Sequence, residues 1–182
     1  MPGILPVLLL GLGSSALPAD DEAARLAAGR AAIAPFQAAL QAALQSGLAR
    51  GPLAALEVCQ VEAPAIARDT AVPAPAGTRV EVGRTSHRLR NPANAPRDWV
   101  RPLLGIYTQS TGTAPRVVEL GPGHWGYVEP ISVQPLCLGC HGSALAEPVA
   151  SRLRDLYPQD AATGFSVGEF RGLFWAEFTE SP

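Results

Sequence analysis

Two cysteines and a histidine stand together in segment 136–142, which reads Leu-Cys-Leu-Gly-Cys-His-Gly. The order Cys137-x-x-Cys140-His141 is the attachment signature of a c-type haem. In such a site both thiols bond to the porphyrin and the histidine is the proximal ligand of the iron. Because the histidine directly follows the second cysteine, the sequence predicts one covalently bound haem c with His141 on its iron.

Two other interpretations of the motif are a redox dithiol with an incidental histidine and half of a zinc site. A strand is predicted just before the motif, as in thioredoxin-like proteins, so the dithiol stays an alternative. A zinc site needs two more ligands, and the remaining candidates are Cys59, His87 and His124.

The second axial ligand of the iron is left open by the residues alone. The only methionine is Met1, and all 14 basic residues are arginines, so a methionine or lysine ligand is excluded from the mature chain. Cys59, His124 and an open site remain. Cys59 shares an apolar helix face with Leu56 and Ile66, where a cysteine is also an ordinary buried side chain.

Several arginines are candidates for contacts to haem propionates. Arg84, Arg88 and Arg90 form a cluster that is also consistent with a solvated strand end. Arg171 lies in the segment Gly-Glu-Phe-Arg-Gly. Arg84 and Arg171 are the predicted propionate contacts, because arginine binds carboxylates in a bidentate manner.

Composition indicates a single globular domain. The chain has 182 residues, 47% of them hydrophobic, and a net charge of -2. Only 16% of the residues are charged. No basic surface for nucleic acid or anionic lipid is expected.

The first residues resemble an export signal. Residues 4–12 are almost wholly apolar, and Ser-Ser-Ala at 14–16 predicts cleavage after Ala16. No Lys or Arg precedes the apolar stretch, which leaves an uncleaved anchor as the alternative. We expect a signal peptide over 1–16, a haem-binding domain over 20–180, a periplasmic or otherwise exported protein, and no stable membrane span after cleavage.

The pattern of apolar residues predicts an α+β fold. A long helix is expected over 19–50, kinked or divided at Pro35. A second helix should begin at Pro52 and bend or end at Pro64. Alternation predicts strands over 78–85, 116–120, 125–133 and 170–178, with short helices over 98–104 and 148–156.

Five segments then show a resemblance to a known family. They are Glu-Val-Cys at 57–59, Gly-Arg-Thr-Ser at 83–86, Leu-Arg-Asn-Pro-Ala-Asn-Ala-Pro at 89–96, the stretch 130–142, and 162–172. In this order they resemble the DUF3365 (Tll0287-like) family of c-type haem proteins. The similarity extends from about residue 23 to 178.

This resemblance implies a PAS-like antiparallel sheet with long N-terminal helices, and His141 and Cys59 as the two axial ligands. It implies a stand-alone exported protein, since no kinase, cyclase or HAMP-like segment is recognisable. His87 departs from the family pattern, where an aliphatic residue is expected, and so becomes a minor rival ligand.

Two functions are compatible with these features. A sensor of redox state or of a small gas would use a thiolate that leaves the iron on reduction and opens a site for carbon monoxide or nitric oxide. An electron carrier would keep both ligands in both redox states and exchange electrons with an unknown protein partner. Enzymatic activity is not expected, because no distal acid–base pair is recognisable.

Overall fold

The structure is a computed structural model that describes residues 19–70, 72, 74, 76–110 and 112–181. The predicted signal peptide over 1–16 therefore lies outside the described residues. Within these ranges, no helix has both the length and the apolar character needed to cross a membrane.

Six α-helices and four strands make up the described chain, which confirms the α+β class. The helices are α1 (Ala19–Ala49), α2 (Pro52–Glu57), α3 (Ala63–Asp69), α4 (Arg101–Gln109), α5 (Leu138–His141) and α6 (Glu147–Leu156). The strands are β1 (Thr78–Thr85), β2 (Arg116–Gly121), β3 (His124–Ser132) and β4 (Phe170–Glu180). A π-helical turn, Val58–Glu62, joins α2 to α3.

The four strands form one antiparallel sheet in the order β1-β4-β3-β2. Thr85, the last residue of β1, pairs with Leu173 near the start of β4. Phe170, the first residue of β4, pairs with Ser132, the last residue of β3. Consequently β1 and β3 end, and β4 begins, at the same end of the sheet.

Helices cover both faces of the sheet. On one face, Ile33 of α1 packs against Tyr127 and Phe178. On the other face, Leu103 of α4 packs against Val128. Because adjacent side chains of a strand point to opposite faces, Tyr127 and Val128 contribute to two different cores.

Prolines lie within α1 and at the start of α4. Helix α1 continues through Pro35 without being divided. Pro102 lies at the start of α4, where its missing N–H needs no partner, so α4 begins and ends later than predicted.

At Pro64, where the sequence predicts a bend or an end, the helix instead widens into a π turn. The Ala63 N–H donates to the Val58 carbonyl, five residues back. In regular α geometry the ring of Pro64 would clash with the carbonyl of Gln60. The π turn removes that clash, and the helix continues as α3.

Contact between α1 and the sheet depends on Gly29. A Cβ atom at this position would lie 2.2 Å from Cγ of the fully buried Tyr127. We expect Gly29→Ala to lower the free energy of unfolding by about 1–3 kcal/mol, since an overpacked core must shift its backbone. Urea unfolding of the variant measures this change.

Gly105→Ala is the matched control, because Gly105 lies inside α4 with nothing within 4 Å of the added methyl group. Alanine there should raise stability by about 0.5–1 kcal/mol. Equal effects of the two substitutions would contradict the packing argument.

Candidate haem-binding site

The Cys-x-x-Cys-His segment directly follows the sheet. After β3 the chain forms a 3₁₀ turn at Pro135–Cys137 and then the short helix α5, which ends at His141. The backbone N–H of Gln134 donates to the sulfur of Cys137 over 3.4 Å. Cys137 and Cys140 are free thiols one helical turn apart, both half-buried.

Gly142 ends this helix. Its N–H donates to the carbonyl of Leu138 over 2.9 Å. A Cβ atom on Gly142 would lie 2.7 Å from the same oxygen, so the close approach requires glycine. The glycine that follows the motif therefore fixes the end of the turn that carries His141.

The ring of His141 is fixed in orientation by a backbone acceptor. Its Nδ1 lies 2.6 Å from the carbonyl oxygen of Ala162, which can only accept, so Nδ1 carries the proton. The other nitrogen, Nε2, is left with its lone pair. A histidine that ligates a metal commonly has this arrangement, because the second-shell acceptor sets the tautomer.

His141 stays neutral over the physiological pH range. Burial lowers its pKa to about 3, and the positive charges of Arg171 and Arg90 act in the same direction. The bond to Ala162 opposes this change only in part. The imidazole is therefore available as a neutral nitrogen donor.

The loop that contains Ala162 is joined to the motif along its backbone. The Phe165 N–H donates to the His141 carbonyl and the Gly164 N–H to the Gly142 carbonyl, both over 2.9 Å. The ring of Phe165 lies edge-on to the His141 imidazole, with 6.3 Å between the centroids. The loop thus holds both the backbone and the ring of the motif histidine.

Arg90 is buried within this arrangement, so a solvated strand end is the wrong interpretation for this member of the cluster. Its guanidinium donates to Asp160 over 3.0 Å, to the Cys140 carbonyl over 2.6 Å and to the Ala162 carbonyl over 3.2 Å. Asp160 and Ala162 belong to no motif that would identify them as site residues in the sequence. The signal available for them was their position in or beside the segments that carry the family resemblance.

Cys59 lies on the π turn, near enough to Cys140 and Tyr157 to influence the pKa of both. Leu56, one turn earlier, packs against Cys140 and helix α6. Burial is the main cause of the raised pKa of the Cys140 thiol, and the charge of Cys59 adds to it although Arg90 opposes it. Burial likewise raises the pKa of Tyr157 on the same side, with Cys59 as the next contribution. The fold therefore brings all three cysteines to one region.

Arg171 is a half-buried cation without a carboxylate partner within 4.0 Å among the described residues. Its guanidinium donates to Ser86 Oγ over 2.7 Å and to the Arg88 carbonyl over 3.3 Å. Burial lowers its pKa to about 10, with further lowering by Arg90 and Arg84. The positive charges of Arg90, Arg84 and Arg88 all act on Arg171, and Asp160 opposes them only in part, which favours an anionic ligand.

The two alternative histidine ligands have other surroundings. His124, at the start of β3, bonds Glu177 over 2.8 Å. It lies eight residues before the end of the strand, about 26 Å from the end that leads to the motif. His87 stacks on Phe170 at 5.4 Å and lies edge-on to Phe165 at 6.0 Å, so Phe165 contacts both His87 and His141.

The zinc alternative gains no support. Across the described ranges, no group of three or more His, Cys, Asp or Glu side chains is arranged to hold a metal ion. The residues around Cys137 and Cys140 are instead arginines, a neutral histidine and apolar side chains, which suit a large, mostly apolar group with acidic substituents.

These features define an α+β protein with an antiparallel sheet and a Cys-x-x-Cys-His segment at one end of it. The chain matches the model of the Tll0287-like family over residues 20–178, and it belongs to that family. This result confirms the resemblance noted from the sequence. No curated protein matches the chain.

Among solved structures, the chain is similar to the crystal structure of the cyanobacterial heme-protein Tll0287. The two chains are 28% identical, with a TM-score of 0.45. The alignment covers 53% of this chain and 59% of the cyanobacterial chain.

His87 has a polar atom that the described structure leaves unpaired. Its Nδ1 is buried without a hydrogen-bond partner, which costs about 1–3 kcal/mol. We expect His87→Leu to raise the free energy of unfolding at pH 7 by about 1 kcal/mol. The change is measured by urea unfolding.

The same substitution should also make the free energy of unfolding depend less on pH below neutrality. Burial, then Arg88 and Arg171, lower the pKa of His87 below 6.5 in the folded protein. At pH values between 6.5 and the lower pKa of His87 in the folded protein, the unfolded chain binds more protons than the folded chain. Stability therefore falls as the pH drops through this range. His124→Leu, which loses the bond to Glu177, is the control and should lower stability at pH 7. A destabilised His87→Leu would contradict the argument.

Proposed function

We propose that this protein binds one haem c covalently through Cys137 and Cys140, with His141 and Cys59 as the axial ligands of its iron. The observation that carries the proposal is the fixed tautomer of His141, with Nδ1 bonded to Ala162 and Nε2 free. Membership of the Tll0287-like family supports it, since the solved relative is described as a heme-protein.

Each residue has a defined part in this assignment. The two thiols are half-buried and not paired in a disulfide, so both are available to form thioether bonds. Cys59 approaches from a separate element, the π turn. A ligand set drawn from α5 and from the π turn would fasten the N-terminal helices to the segment after the sheet.

Arg171 and Arg84 are the proposed partners of the haem propionates. A half-buried guanidinium without a carboxylate partner is unfavourable, and two propionates would supply the negative charge that it lacks among the described residues. Arg90 is excluded from this role, because Asp160 and two carbonyls already occupy its donors.

Haem supplies a one-electron redox centre and a coordination site for diatomic gases. We favour a sensor-like role in a PAS-like domain, because Cys59 lies on a π turn rather than a regular helix. Such turns are frequent at functional sites. Leu56, before the turn, contacts α6, and Ala63, after it, contacts α1. A movement of Cys59 would therefore be transmitted to both helices.

An electron carrier is the second candidate. Leu136, directly before Cys137, is 55% exposed. An apolar surface at the attachment point suits brief contact with a redox partner. For either role we propose export, a protein partner and no enzymatic activity.

The ligand assignment is tested with purified haem-loaded protein. A pyridine haemochrome spectrum with both vinyl groups saturated is expected for the unaltered protein, and its absence would overturn the whole proposal. Cys59→Ala should keep the covalent haem but lose the thiolate-ligated low-spin ferric spectrum, since it removes only the sulfur ligand.

His124→Ala is the matched control, since His124 lies at the far end of β3. Its ferric spectrum should equal that of the unaltered protein. If Cys59→Ala also keeps that spectrum, Cys59 is not a ligand.

Carbon monoxide separates the two roles. We expect the reduced, unaltered protein to form a carbonyl complex rapidly, with a shifted Soret band, because a sensor must admit an external ligand. Stopped-flow absorption measures the rate. Rapid binding by Cys59→Ala alone would show that Cys59 keeps the site closed and would favour the carrier.

A further inference from the structure

Arg90 and Asp160 connect three segments that are far apart in the chain. Their side chains are only 8% and 10% exposed. One terminal nitrogen of Arg90 donates to the carbonyls of Cys140 and Ala162, while Nε donates to Asp160 Oδ2. Asp160 Oδ1 in turn accepts from the Ala162 N–H over 2.8 Å.

These contacts hold Ala162 on both of its backbone polar groups. Its N–H bonds Asp160, and its carbonyl accepts from both Arg90 and His141. Arg90 also bonds the carbonyl of Cys140, the residue before His141. One guanidinium therefore sets the distance between the helix that carries His141 and the oxygen that orients its ring.

We propose that Arg90 is a positioning residue for His141, acting through the Ala162 carbonyl, with Asp160 holding Arg90 in place. The inference rests on the proposed function, since it concerns the imidazole as an iron ligand. Arg90 itself touches neither the imidazole nor the thiols by any hydrogen bond.

The geometry requires an arginine. The planar guanidinium has five N–H donors in a fixed fork, which can reach two carbonyls and a carboxylate together. A lysine keeps the charge but is a compact ammonium on a flexible stem. Arg90→Lys therefore keeps the positive charge but loses the fixed arrangement of N–H donors.

The test is the electron paramagnetic resonance spectrum of the ferric, haem-loaded protein. A single ring orientation gives one set of low-spin g values, which we expect for the unaltered protein. Arg90→Lys should keep the covalent haem but add a second low-spin set or a high-spin signal. Arg88→Lys is the matched control, since Arg88 donates to the neighbouring Ala161 carbonyl and makes no bond to Cys140 or Ala162.

Thermal unfolding of the same samples distinguishes positioning from support of the fold. A lower unfolding temperature with a single set of g values would overturn the proposal. If the Arg90→Lys protein does not fold, the Asp160→Asn protein tests the same proposal. It keeps the side-chain size and should give the same heterogeneity, and a folded Asp160→Asn protein with the unaltered spectrum overturns the inference.

Failure of the proposed function gives a different result. If the unaltered protein carries no covalent haem, both proposals fall. If it shows the single low-spin set and Arg90→Lys shows the same set at the same unfolding temperature, only the role of Arg90 is refuted.

Discussion

An imidazole ring in an apolar site keeps one orientation only when its N–H has an acceptor, and here that acceptor is the carbonyl of Ala162. The bond leaves Nε2 with its lone pair, and burial keeps the ring neutral. The other contacts of the site maintain it. Backbone bonds from Phe165 and Gly164 attach the loop to the motif, and Arg90 joins the same carbonyl to the motif helix.

The antiparallel sheet explains why these segments meet. β1 and β3 end at the same end of the sheet at which β4 begins. The segment with Arg90 follows β1, the haem motif follows β3, and the loop with Ala162 precedes β4. Three stretches distant in sequence are therefore brought together by strand pairing. Helices α2 and α6 then place Cys59 beside them through contacts around Leu56.

The sequence predicted the elements better than it predicted the site. Strand β1 has its predicted bounds and the other strands differ by a few residues, because alternation of apolar side chains is a local signal. The role of Arg90 was not predictable in this way, because its partners lie 50 to 72 residues away. The sequence left two outcomes open at each proline, a kink or a division at Pro35 and a bend or an end at Pro64; α1 continues through Pro35, and the helix widens before Pro64 and continues. Such outcomes depend on packing that a local pattern does not contain.

The π turn at Val58–Glu62 has a consequence for how this family can vary in length. Helix α2 contacts α6 through Leu56, whereas α3 contacts α1 through Ala63. Loss of one residue within the turn would convert its five-residue turn into the four-residue turn of a regular α-helix, and α3 would keep its orientation relative to α1. Regular geometry would, however, bring the ring of Pro64 against the carbonyl four residues before it. Related sequences that lack one residue in this turn should therefore also lack the proline, because the proline is compatible with the helix only when the extra residue is present.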